Sequence, residues 1–195
     1  MDPIAKLAKR LRSPRAVQKF IRALPYNREL RGETLLSAKA ALRRGSIHCL
    51  EATFLAAAIL EHHGYPPLAL SMESQDRLDH VVFVFRQKGR WGAIARSRDR
   101  GLNSRAPIFR SIRDLAWSFY DPYVDKTGKL TAYRLVHLDE TKSDWRNSKR
   151  SLWKAENYLA KIRHKKLHSS KRRYLRLLKA YLKDGPLSKG RGWMK

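Results

Sequence analysis

The chain holds one cysteine and seven histidines, and two of these eight residues have surroundings that suit thiol chemistry. Cys49 follows Gly45-Ser46-Ile47-His48 and opens an apolar run from Leu50 to Leu60. If that run is a helix, Cys49 lies in its first turn, where free backbone N–H groups and the positive end of the dipole favour thiolate over thiol. The same N–H groups can receive the oxyanion formed when sulfur attacks an acyl carbon. His80 begins a second apolar segment about thirty residues later. Packed on the helix, a strand starting there brings an imidazole to the sulfur as its base.

Other uses of these residue types fit less well. A single cysteine excludes an intramolecular disulfide and any all-cysteine metal site. His62 and His63 lie roughly 20 Å beyond Cys49 along a helix rising 1.5 Å per residue, so they cannot share a metal with it. Four-ligand zinc spacing is absent, and neither metal nor cofactor is expected. Glu51, inside the apolar run, reads as a buried carboxylate paired with Arg43 or Arg44. His48 and Trp91 are the candidates for contact with substrate.

Several elements must position these residues. Ile4, Leu7, Ala8 and Leu11 repeat at helical spacing, and Ser13-Pro14 caps a second helix running to Leu24. Glu33 to Arg44 predicts a third, stopped by Gly45. The segment from His48 to His63 is apolar on nearly every side, the mark of a helix at the centre of its domain. Leu68–Met72 predicts a short strand. His80–Arg86 predicts one covered on both faces, with Arg90–Ala95 as its hairpin partner. Residues 97–107 read as a loop, Ile112–Phe119 as an amphipathic helix and 131–138 as an edge strand. From Ser143 the pattern is helix, a basic break over 164–170, then helix to Lys183. This order predicts an α+β fold with a central buried helix on a small antiparallel sheet.

Gly45-Ser46-Ile47-His48-Cys49-Leu50-Glu51-Ala52, with Gly64-Tyr65-Pro66-Pro67 ending its helix, resembles the nucleophile segment of the transglutaminase-like (papain-like) superfamily. Asp79-His80-Val81 resembles its histidine strand, and Gly89-Arg90-Trp91-Gly92-Ala93-Ile94-Ala95 its tryptophan-bearing return strand. The run from Arg96-Ser97 through Gly101-Leu102, with Pro107 and Arg110, is similar to a bacterial branch of it. The resemblance covers residues 32–121. It implies a cysteine hydrolase or acyltransferase acting on an amide, with Cys49 as nucleophile, His80 as base and a protein or peptide as substrate. One departure stands out. The aspartate that usually orients the histidine is missing, because the region reads Ala93-Ile94-Ala95-Arg96-Ser97. Asp99, Ser97, Asn103 and Asp79 are the available substitutes, and Ser97 and Asp99 are the catalytic candidates among them.

The formal charge is +26, and it is concentrated: residues 142–195 hold 18 Lys and Arg against three acids. A polyanion such as nucleic acid is the expected partner of that segment, through Lys149, Arg150, Lys165, Lys166, Lys171, Arg172, Arg173 and Arg176. The alternative function is therefore a catalytically silent scaffold carrying a basic nucleic-acid-binding tail. No stretch is long and apolar enough to span a bilayer, so no integral membrane association is expected. The lone cysteine suits the reducing cytoplasm. Three segments are expected: N-terminal helices over 1–31, a transglutaminase-like core over 32–141 and a basic helical extension over 142–195.

Overall fold

Short polar caps and prolines start the N-terminal helices. The computed structural model describes residues 2–186, with 31, 33 and 78 excepted. α1 (Pro3–Arg10) and α2 (Pro14–Ala23) begin after Asp2 and Ser13, whose side chains accept from Ala5 N and Ala16 N. α3 (Ala38–Arg44) is capped by Ser37 and stops at Gly45, where φ is +76° and glycine carries no Cβ penalty. It starts later than the expected Glu33, which lies outside the described residues. Thr34 to Leu36 do not join it, because the Leu36 N–H donates to the Glu51 carboxylate (3.2 Å) and Thr34 O faces His48. α4 (Cys49–Glu61) has every residue from Leu50 to Leu60 buried.

Six antiparallel strands form one sheet in the order β4-β3-β2-β1-β5-β6. They are β1 (Leu68–Ser74), β2 (His80–Gln87), β3 (Arg90–Ile94), β4 (Arg105–Phe109), β5 (Leu130–His137) and β6 (Lys165–Lys166). Alternation along β2 divides the core between the two faces. Val81, Phe83 and Phe85 pack with α1 to α4, whereas Val82 and Val84 pack with Leu115, Ala116 and Phe119 of α5 (Ile112–Tyr123). The α+β class expected from the sequence is the one observed, and the strand covered on both faces lies at its centre.

β4 falls partly within the span that reads as a loop. Its residues do not alternate, but Gly92 lets it approach: a Cβ there would come within 3.0 Å of Arg105 O and Pro107 Cα. The C-terminal segment contributes to both cores. Residues 143–150 form bends and turns rather than the expected helix, and α6 begins only at Trp153 (Trp153–Lys161). Trp145 is fully buried and stacks on Phe54, with centroids 6.1 Å apart. Leu152, Ala155 and Leu159 join the same core, and β6 pairs with β5. α7 (Lys171–Asp184) lays Tyr174, Leu177 and Leu178 against the opposite one. Residues on the two sides of position 142 thus share one interior. No described helix is long and apolar enough to cross a membrane.

Candidate active site

The first turn of α4 is tied to the start of β2 by Thr53. Its hydroxyl lies 2.9 Å from Cys49 O and 3.1 Å from Val81 O, so the nucleophile helix and the histidine strand are held at one level. Cys49 is partly exposed, while the imidazoles of His48 and His80 on either side are buried. Burial pushes the Cys49 thiol up, but hydrogen bonds from His48 and His80 and their positive charge outweigh it. The balance brings its pKa from 9.0 down to about 5. The predicted association of Cys49 with His80 is present, and a second imidazole is added to it.

The tautomer of His80 follows from its partner. His80 Nε2 lies 2.8 Å from the carbonyl oxygen of Leu102. A carbonyl can only accept, so Nε2 carries the proton and Nδ1 is left for the sulfur. The ring also meets Phe119 edge-on, with centroids 5.7 Å apart. The partner seen at His80 Nε2 is thus a backbone oxygen, and each of the four candidate side chains has a hydrogen bond or ion pair of its own. Asp99 pairs with Arg98 (3.0 Å). Asp79 accepts from Ser74 N (2.9 Å), and Asn103 Oδ1 from Ser97 N (3.0 Å). Ser97 Oγ accepts from Asp99 N (3.2 Å), which helps shape the loop that ends at Leu102.

His48 lies in the cap of α4. It caps α4 reciprocally with Glu51: in the neutral ring Nδ1 accepts from Leu50 N (3.3 Å), a bond given up for one to Cys49 when the ring is protonated, and Glu51 accepts from His48 N (3.1 Å). Its Nε2 lies 2.6 Å from Thr34 O, with Glu51 at 3.6 Å and Glu29 at 3.8 Å. Burial lowers the pKa of this imidazole, yet the Cys49 thiolate and Glu51 raise it to about 9. Glu51 is fully buried and ion-paired with Arg44, one of the two arginines anticipated from the sequence; it also accepts from Leu36 N and Thr34 Oγ1.

Trp91 is elsewhere. It lines a cleft with His63, Tyr65, Phe85 and Arg86, at the opposite end of α4 from Cys49. Tyr26, which sequence inspection passes over, stands near the thiolate. Burial, and after it the negative charge of Cys49, raises its pKa to about 12, and Arg96 sits 5.8 Å over its ring. Pro25-Tyr26 in an irregular segment offers no periodicity to mark it. The Leu102 carbonyl is equally silent, since every residue has one.

Among the C-terminal cations, Lys149, Arg150, Lys165, Lys166, Lys171, Arg172 and Arg176 are exposed. Arg173 is not free: it pairs with Asp121 and lies over Trp117 and Tyr120.

A cysteine at the N-terminus of a buried helix, met by a histidine from the central strand of an antiparallel sheet, defines a transglutaminase-like, cysteine-protease-like protein. Within that class the chain belongs to the vasohibin family, whose model matches residues 3–179. That match spans all three of the expected segments. Nothing among curated proteins matches the chain.

Proposed function

We propose that this protein is a cysteine-nucleophile hydrolase or acyltransferase acting on an amide of a protein or peptide. The observation that carries this is the pairing of a helix-terminal Cys49 with His80, whose Nε2 is held by Leu102 O. The Cys49 thiolate attacks the amide carbon and a C–S bond forms. Backbone N–H groups at the start of α4 receive the developing oxyanion. His80 delivers its Nδ1 proton to the departing amine as the C–N bond breaks, leaving a thioester. Water, deprotonated by His80, then gives hydrolysis; an amine in its place gives transfer. Resemblance to a bacterial branch rests on the run from Arg96 to Arg110 alone. Cytoplasmic location is part of the same proposal, because a thiolate of this kind needs reducing surroundings.

Iodoacetamide labelling of Cys49 across pH, in wild type and His80→Ala, tests the pair. Since Cys49 is the only thiol, the signal has one source. Fast labelling well below pH ~8.5 that is lost in His80→Ala supports the reading; slow labelling indifferent to His80 removes it.

A second reading concerns the exposed cations of residues 149–176. Lys149, Arg150, Lys165, Lys166, Lys171, Arg172 and Arg176 are among the exposed cations there, and Trp153 is 55% exposed beside Lys154. Cations with an open aromatic suit a nucleic-acid strand. If the chain is a silent scaffold, Cys49→Ala binds single-stranded nucleic acid as wild type does, with affinity falling steeply in salt. Salt-independent or absent binding sinks this role.

A further inference from the structure

Arg105 is among the most deeply buried large side chains in the molecule, at 1% exposure, and among the described residues it makes no ion pair with a carboxylate. A guanidinium placed this way is costly unless every donor is used. Here all five N–H groups have partners. Nε donates to Ser118 Oγ (2.9 Å). Nη1 donates to Asn103 O and Ser104 O, both at 3.0 Å. Nη2 donates to Gly101 O and Ser118 O, both at 2.9 Å. The plane lies 3.9 Å over the ring of Phe119, and that ring in turn packs against His80.

The acceptors fall on both sides of one residue. Gly101 and Asn103 each give their carbonyl to Arg105, and the residue between them, Leu102, gives its own to His80 Nε2. We propose that Arg105 is the positioning residue of the site: it holds the 101–104 loop so that a backbone carbonyl does the work of the missing aspartate. This rests on the Cys49–His80 reading given above. Arg105 touches neither the sulfur nor the ring of His80 by hydrogen bonding. It acts through Leu102 O on one side of the imidazole and through Phe119 on another. Lysine cannot replace it, because an ammonium has three donors and no plane with which to gather five acceptors.

The test compares wild type, His80→Ala, Arg105→Lys and Ser118→Ala. Two readouts are taken for each: the pH midpoint of Cys49 alkylation, and the thermal midpoint with near-UV circular dichroism. Arg105→Lys is expected to move the alkylation midpoint upward by about one pH unit or more, toward His80→Ala. Ser118→Ala, which removes one acceptor and leaves the charge, is expected to move it less and in the same direction. A lower thermal midpoint in both variants with the wild-type alkylation midpoint retained makes Arg105 an ordinary core residue and overturns the proposal. If Arg105→Lys does not fold, Ser118→Ala decides by the same criterion. Failure of the underlying reading looks different: wild type and His80→Ala then label alike, and the Arg105 role falls with it. A clear gap between those two, with neither Arg105→Lys nor Ser118→Ala shifted, sinks the Arg105 role alone.

Discussion

His80 Nε2 and the carbonyl oxygen of Leu102 lie 2.8 Å apart, so the imidazole proposed as general base is held by the main chain. A carbonyl dipole fixes the tautomer as a carboxylate would, but it brings no full negative charge to stabilise an imidazolium. On the proposed reading, a side-chain carboxylate is not required in that role. Asp99→Asn is expected to leave the pH midpoint of Cys49 alkylation within about 0.3 unit of wild type, because its carboxylate faces Arg98. A shift comparable with that of His80→Ala would show that Asp99 reaches the imidazole after all.

The thiolate should be visible in stability as well as in reactivity. Cys49 ionises near pH 5 in the folded chain and near 9 when unfolded, so its contribution is present above 9 and lost as pH falls through 5. His48 runs the other way: its contribution is full below its ordinary 6.5 and lost as pH rises through about 9. Between pH 5 and 6.5 only the cysteine changes, and the unfolded state holds the extra proton. Unfolding free energy is expected to rise there by at most about 2 kcal/mol. Urea melts at the two pH values check this. In Cys49→Ala the rise should be absent.

Glu51 carries several bonds at once. It accepts from Leu36 N, His48 N and Thr34 Oγ1 and pairs with Arg44, all from a fully buried carboxylate. Glu51→Gln keeps the shape but turns an amide N–H₂ toward one of those donors. The expected cost is about 2–4 kcal/mol in urea unfolding. An unchanged melt would mean that the His48–Cys49 turn is held by backbone alone.

Truncation tests how far the C-terminal segment belongs to the core. A chain ended at residue 141 loses Trp145, Leu152, Ala155 and Leu159, all buried, and should not reach a cooperative fold. Trp145→Ala in the full chain also gives up the bond from Nε1 to Asp139 (2.9 Å) and should cost about 3–5 kcal/mol. A stable, cooperative 1–141 fragment would restore the view of an appended extension.

Gly92 is the point where β3 and β4 come closest. A methyl group there would stand 2.7 Å from Phe85 Cζ and 3.0 Å from two backbone atoms of β4. The ring can yield more easily than the strand. Gly92→Ala is expected to destabilise by about 1–3 kcal/mol by thermal melt. Full stability in that variant would imply that β4 can move away without loss.

The proximity of Cys49 and His80, the buried helix and the doubly covered strand were all legible in the residues, for a local reason. Cys49 stands where capping and an all-apolar run require a helix to begin, and His80 where a β-branched, aromatic run requires a strand. The Arg44–Glu51 pair was legible too, since a lone acid in an apolar helix must find a cation. What only the tertiary structure decided depends on segments far apart in the chain. The partner of His80 Nε2 is a backbone oxygen, chemically identical in every residue, and only the folding of 101–104 around Arg105 singles out Leu102. Trp91 shares its strand with residues near the site, yet β3 carries it to the far end of α4. The basic segment after 142 reads as an appendage by charge, which is dominated by its solvated surface. Its sparse apolar residues, Trp145, Leu152 and Leu159, decide where it packs, because burial depends on which neighbours are there to receive them.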